Sequence, residues 1–215
     1  YINGSTIFNV THPNLHEWIH VALTRDGTTL RLFLNGVASG TSTASLGTSN
    51  YPLNVAGDST GRVGLEGYVS DVRVVKGTAV YTSAFTPPTA PSTAITNTEA
   101  LLSFTNAAMF DQTGKTNVQT VGNAQLDTSV KKFGTASVEF DGTDDYLEAT
   151  PTVIISPQRG SWTYECFIYP KTVVDSAGYG CIFDTRTNNP DDDGISLFYI
   201  GSNGRLECYG PANGG

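Results

Sequence analysis

The sequence predicts an all-β fold, an antiparallel β-sandwich of jelly-roll type, on three observations. No stretch of 11 or more residues keeps apolar positions at i, i+3, i+4 and i+7 free of Gly, Pro or Thr clusters, so helices are unsupported. Short segments that alternate apolar and polar residues recur instead. Gly-, Asp- and Asn-rich turns separate them at regular spacing, the pattern of antiparallel strands stacked in two layers.

The first strands are read at 18–23 (Trp-Ile-His-Val-Ala-Leu) and 30–34 (Leu-Arg-Leu-Phe-Leu), the second running straight into Asn35-Gly36. Asn-Gly tolerates positive φ at both turn centres, which predicts a hairpin there. Further strands are expected at 53–55, 66–75, 101–104, 136–140, 146–149, 162–168, 181–184, 195–200 and 206–209, with a tight turn at Ser202-Asn203-Gly204 between the last two. Between the fourth and fifth strands, residues 85–93 carry Pro87, Pro88 and Pro91. Proline lacks the backbone donor of a strand ladder, so this stretch reads as an extended connector and puts a boundary near residue 97.

Charge divides at the same place. Residues 1–97 hold five basic and five acidic side chains; of 12 basic and 20 acidic overall, seven and 15 remain for 98–215, so the whole net charge of −8 lies there. A chain with no basic face has nothing to neutralise phosphates, which argues against nucleic-acid binding. No apolar run approaches the roughly 20 residues of a membrane-spanning helix, so membrane insertion is not expected. From Tyr1 in place of an initiator Met and no signal-peptide pattern ahead of the first strand, we expect a fragment or processed product. Cys166, Cys181 and Cys208 show no CxxC spacing, and we expect buried thiols with room for one disulfide.

Several segments resemble the laminin-G-like, concanavalin-A-like jelly rolls found in phage tail and virion proteins and in bacterial surface proteins. Residues 18–27 (WIHVALTRDG) followed by 32–36 (LFLNG) resemble that family's W-x-H-V-A-x-T-R hairpin; 67–74 (GYVSDVRV) resembles its last core strand, and Ala79-Val80-Tyr81 with 85–88 (FTPP) the tail after it. Leu101-Leu102-Ser103-Phe104, Asp111, Phe133-Gly134, 137–142 (SVEFDG) and 164–168 (YECFI) resemble the family's beginning. The resemblance therefore implies a concanavalin-A-like jelly roll whose halves stand in permuted order, 98–215 before 1–97. One period of a tandem array cut in mid-domain is the expectation; a circularly permuted single domain or a chain with unlike neighbours are the alternatives.

Motifs that would carry chemistry fall short of their structural requirements. His16-Glu17-Trp18-Ile19-His20 matches H-E-x-x-H, but its metal logic needs a helix, and four residues of strand span roughly 13 Å, too far for both imidazoles to reach one zinc. Gly57-Asp58-Ser59-Thr60-Gly61 matches G-x-S-x-G without a following helix, and no histidine is patterned to join Ser59. Glycosidases on this kind of sandwich need two carboxylates facing one groove, whereas Glu139 and Glu165 stand singly on their strands and read as solvent-facing. No catalytic residue is assigned.

Calcium is the cofactor the acidic loops would suit, because hard cations take several carboxylate and carbonyl oxygens. The loops are Asp141-Gly142-Thr143-Asp144-Asp145 and Asp191-Asp192-Asp193-Gly194; the second begins like an EF-hand at Asn189, Asp191, Asp193 and Gly194, yet Ile200 replaces the bidentate Glu. The resemblance adds Asp71, on a strand that related sandwiches use near a structural calcium. The candidate ligands are Asp71, Asp111, Asp141 and Asp144. Tyr51, Tyr179, Tyr199 and Tyr209 lie in or near loops where a sugar could stack, while most of the 22 aromatic residues are expected to fill the core. Asn3-Gly4-Ser5 and Asn9-Val10-Thr11 match glycosylation acceptors only as chance strings. The expected function is a non-catalytic structural or adhesion module on an extracellular surface or virion, such as a tail or fibre, with neighbouring copies and a surface glycan as partners. A glycan hydrolase or lyase on the same fold is the alternative.

Overall fold

A computed structural model describes residues 5–11, 14–46, 51–61, 63–151, 160–172, 179–186, 194–200 and 205–211, with the side chains at 151 and 198–200 outside the description. The first half contributes β1 (Ser5–Thr11), β2 (Ile19–Asp26), β3 (Thr29–Leu34), β4 (Val37–Ser42), β5 (Leu53–Val55) and β6 (Glu66–Lys76). The second contributes β7 (Thr98–Phe104), β8 (Met109–Asp111), β9 (Thr116–Val121), β10 (Gln125–Asp127), β11 (Ser137–Asp141), β12 (Tyr146–Pro151), β13 (Trp162–Pro170), β14 (Tyr179–Asp184), β15 (Ser196–Ile200) and β16 (Arg205–Gly210). No helix occurs among the described residues. The predicted antiparallel sandwich is what the chain forms.

One sheet runs β1-β16-β15-β14-β5-β12-β9; the other runs β10-β11-β6-β13-β2-β3-β4, with β7 and β8 attached to it through β6. Strands of 1–97 and 98–215 are intermixed in both, and β6 and β7, which flank the boundary near residue 97, pair antiparallel. Apolar residues at every second position make the interior. Ile19, Val21 and Leu23 of β2 and Tyr164, Cys166 and Ile168 of β13 face Leu53, Val55, Leu147, Leu197 and Leu206 in one buried cluster. At Asn35 and Gly36 φ is 49° and 77°, the turn that two-residue hairpin loops prefer, and β3 and β4 leave it paired. The turn foreseen at residues 202–204 lies outside the described residues.

The connector is more than a link. Residues 77–97 run along the outer face of the nine-stranded sheet as a strap. Val80 N–H donates to Thr163 Oγ1 (2.8 Å), Thr24 Oγ1 donates to the Tyr81 carbonyl (2.9 Å) and Phe85 N–H donates to the Gly36 carbonyl (3.0 Å). Tyr81 and Phe85 stack on each other at 3.6 Å and meet the rings of His20 and Phe33 edge-on. These rings, with Phe167 against His20, form an aromatic layer outside the sandwich interior, where the sequence had placed most aromatics.

Under the strap Glu165 is 1% exposed, which corrects its assignment as a solvent-facing residue. It accepts from His20 Nε2 (3.0 Å), Arg73 Nε (2.7 Å) and the Tyr81 hydroxyl (2.8 Å). Burial alone would raise its pKa, but the hydrogen bond from His20 and the Arg73 charge outweigh it and hold the carboxyl below its ordinary value. Glu139 is corrected too, being half-buried between Lys171 Nζ and the Tyr68 hydroxyl. All three cysteines are free, buried thiols, and none forms a disulfide.

Candidate functional site

The outer face of the seven-stranded sheet carries a row of polar residues that no single segment reveals. Strand registers set Gln119 opposite Glu148, Glu148 opposite Asn54, Asn54 opposite Asp184, Asp184 opposite Ser196, Ser196 opposite Tyr209 and Tyr209 opposite Thr6. Each strand's alternate residues, among them Leu53, Leu147, Leu197 and Cys208, are in the interior, so the period of two turns this row outward. Seven strands thus contribute one polar residue each.

The centre of the row is buried and incompletely satisfied. Asn54 Oδ1 and Ser196 Oγ, on the two sides of Asp184, have no hydrogen-bond partner among the described residues. Buried polar groups are seldom left so, and an ordered water is what would complete them. Burial pushes the Asp184 carboxyl up to about 6, although Arg186 beside it works the other way and donates its backbone N–H at 2.8 Å. At one end Gln119 Nε2 donates to Glu148 Oε1 at 2.9 Å; near the other, Asn9 Nδ2 donates to Glu207 Oε1 at 2.9 Å and the Tyr209 hydroxyl donates to Glu207 Oε2. Tyr209 and Tyr179 pack together against Val63 and Cys181. Burial and then Glu207 raise the Tyr209 pKa, so the phenol remains a proton donor at neutral pH.

Of the four tyrosines expected to contact sugar, the structure brings Tyr179 and Tyr209 together, leaves Tyr51 exposed on its own loop, and does not describe the Tyr199 side chain. The rest of the row escaped sequence reading because its members stand singly on seven strands spread from residue 6 to 209. The one available signal was the polar phase of each alternating strand.

The expected calcium ligands divide. Asp141 and Asp144 come together and are joined by Asp145, the ligand atoms of all three lying within 4.8 Å of one another. Asp145 accepts from the backbone N–H groups of Asn123 (2.7 Å) and Asp141 (2.9 Å), and burial, then the charges of Asp141 and Asp144, raise its pKa against those bonds. The donor set, three hard oxygen ligands whose mutual repulsion a dication would relieve, fits calcium. Asp71 and Asp111 lie elsewhere with partners of their own. Asp71 accepts from the Ser92 N–H and hydroxyl; Asp111 accepts from the N–H groups of Leu101, Thr113, Lys115 and Thr116 and from the Thr113 hydroxyl, tying the turns around β8. The loop at 191–193 is outside the described residues.

Neither enzymatic string assembles a site. His16 occupies a bend with φ of 60° and meets Tyr169 edge-on, while His20 on β2 points to Glu165. Residues 57–61 form a turn between β5 and β6 in which Asp58 Oδ1 accepts from Thr60 N–H at 3.0 Å.

No match was found among curated proteins. Residues 2–87, which supply β1–β6 and the start of the strap, match the Laminin_G_3 family, described as the concanavalin A-like lectin/glucanases superfamily.

Proposed function

We propose that this chain is a non-catalytic structural or adhesion module of a virion tail, fibre or cell-surface assembly, and that the outer face of its seven-stranded sheet contacts glycans. The observation that carries this reading is the polar row with Tyr179 and Tyr209 at one end. Tyrosine rings offer an apolar surface to a sugar's C–H face, and the accessible polar side chains at the ends of the row, Thr6 and Asn9 beside Tyr209 and Gln119 and Glu148 at the far end, suit its hydroxyl groups. The match of residues 2–87 to a superfamily that includes lectins supports it. A glycan array tests it: the protein retains specific oligosaccharides, and Tyr209→Ala weakens binding by about tenfold or more, roughly 1.4 kcal/mol. No retained glycan, or binding untouched by Tyr209→Ala, would overturn it.

A carbohydrate-active enzyme is the second reading, favoured by Glu148, Asp184 and Glu207 sharing that face. Polysaccharide turnover that Glu207→Gln abolishes would select it. Calcium at Asp141, Asp144 and Asp145 belongs to the proposal as a structural ion. Millimolar calcium is expected to raise the melting temperature of the wild-type protein and leave that of Asp144→Asn nearly unchanged. Equal shifts, or none in either protein, would remove calcium from the account.

A further inference from the structure

A second site lies on the opposite sheet, where two strands share one edge of β6. Strand β11 pairs with β6 as far as Val69, opposite Val138; β7 takes up the same edge from Val72, opposite Leu102. Ser70 and Asp71 between them have no strand partner on that edge. The register against β13 shifts at the same level, and Asp71 has φ of 57°, so β6 bends away from a regular ladder here. The result is a notch of about 180 Å³ floored by Ser70 and Asp71, with Phe104, Phe110 and Phe133 in its walls. Ser103 and Gln112 add a hydroxyl and an amide to the lining, and Pro91 of the strap closes one side.

We propose that this notch binds one neutral pyranose residue of a glycan. Its volume suits a single sugar ring and not a chain. Phe110 is 44% exposed and offers an aromatic face of the kind a pyranose covers with its C–H groups. Gln112 Nε2 donates to Ser103 Oγ, which leaves the amide carbonyl and the serine proton free to meet sugar hydroxyls. Charge selects against ionic ligands. Among the described residues Asp71 is the one formal charge in the lining, and both its oxygens already accept from Ser92, Oδ1 at 3.0 Å and Oδ2 at 2.7 Å; the Lys132 ammonium, outside the lining, is engaged over the Phe133 and Phe167 rings at 5.6 and 4.8 Å. This site stands apart from the polar row, on the other sheet and on other residues, so it holds or fails independently. With both faces occupied, one module would join two glycan strands.

Saturation-transfer NMR with the methyl glycosides of glucose, galactose, mannose and N-acetylglucosamine tests it, using the wild-type chain and the variants Phe110→Ala, Gln112→Ala and Tyr209→Ala. The expected result is transfer to at least one glycoside in the wild type and in Tyr209→Ala, falling about fivefold or more in Phe110→Ala and Gln112→Ala. Gln112 is exposed, so its variant decides the matter if Phe110→Ala lowers the melting temperature. Signal in no glycoside, signal lost only in Tyr209→Ala, or signal unchanged in Gln112→Ala would each overturn the proposal. Glucuronate or glucosamine binding as well as the neutral glycosides would overturn its selection by charge.

Discussion

Two buried carboxyls with opposite shifts show how single residues set the response of this sandwich to pH. Asp184 titrates near 6 in the folded protein, above its unfolded value, so between about pH 4 and 6 the native state holds a proton that the unfolded chain has released. Its contribution to stability is present below that window and is lost as pH rises through it. Against Asp184→Asn, the wild type is expected to lose about 2 kcal/mol of relative stability between pH 4 and pH 7, read from paired denaturant melts. Glu165 works in the other direction. Its folded pKa is lowered, so its stabilisation is present above the unfolded value and is lost as pH falls through the folded one. Glu165→Ala would leave the Arg73 guanidinium, 9% exposed, without its carboxylate partner, and a loss of about 3–5 kcal/mol is expected in urea melts at pH 7. A loss below about 1 kcal/mol would mean that the Thr93 carbonyl, which also accepts from Arg73, suffices.

At the scale of elements, strands with an apolar phase were legible and those without one were not. Alternation marked β2, β3, β6 and β13, each of which places buried residues in the interior. It could not mark β4 (VASGTS) or β9 (TNVQTV), polar strands at the two sheet edges, nor β10, whose three residues are too few to show a period. The strap was legible as proline-rich and extended, but its destination was not, and that hid the burial of Glu165 and the aromatic layer around His20. Its docking rests on a close approach at Gly36, where a Cβ would stand 1.9 Å from the Phe85 carbonyl oxygen and φ is 77°. Gly36→Ala therefore cannot keep both the hairpin turn and the Phe85–Gly36 hydrogen bond. A destabilisation of about 1–3 kcal/mol is expected, with hydrogen exchange accelerating at Phe85 while β13 remains protected. Uniform acceleration would show that the strap and the sandwich open as one unit.

For the whole molecule, the order of the halves turns on the pairing of β1 with β16. Ser5 stands opposite Gly210 and Thr11 opposite Arg205, so the end of β16 lies beside the start of β1, as the two arms of a hairpin do. Joining residue 215 to residue 1 would connect those arms through 211–215 and 1–4, a loop of nine residues. Loop-closure entropy grows slowly with length, so such a link constrains the chain without straining the pair. A permuted chain that runs from 98 to 215 and then from 1 to 97 is expected to fold to the same sandwich. It breaks the peptide bond between Asn97 and Thr98, yet β6 and β7 still pair, because Val72 to Val75 meet Leu102 to Thr98 across the sheet. Its melting temperature should match or exceed that of the original order, with the same near-ultraviolet dichroism from Trp162 and Tyr164 in the core. The same register lets a chain end find the complementary strand of a second copy, so the original order is expected to yield a concentration-dependent dimer fraction that the permuted chain lacks, measured by light scattering after size exclusion. A permuted chain that fails to fold, while the original order is a stable monomer at all concentrations, would mean that 98–215 and 1–97 are not successive parts of one domain.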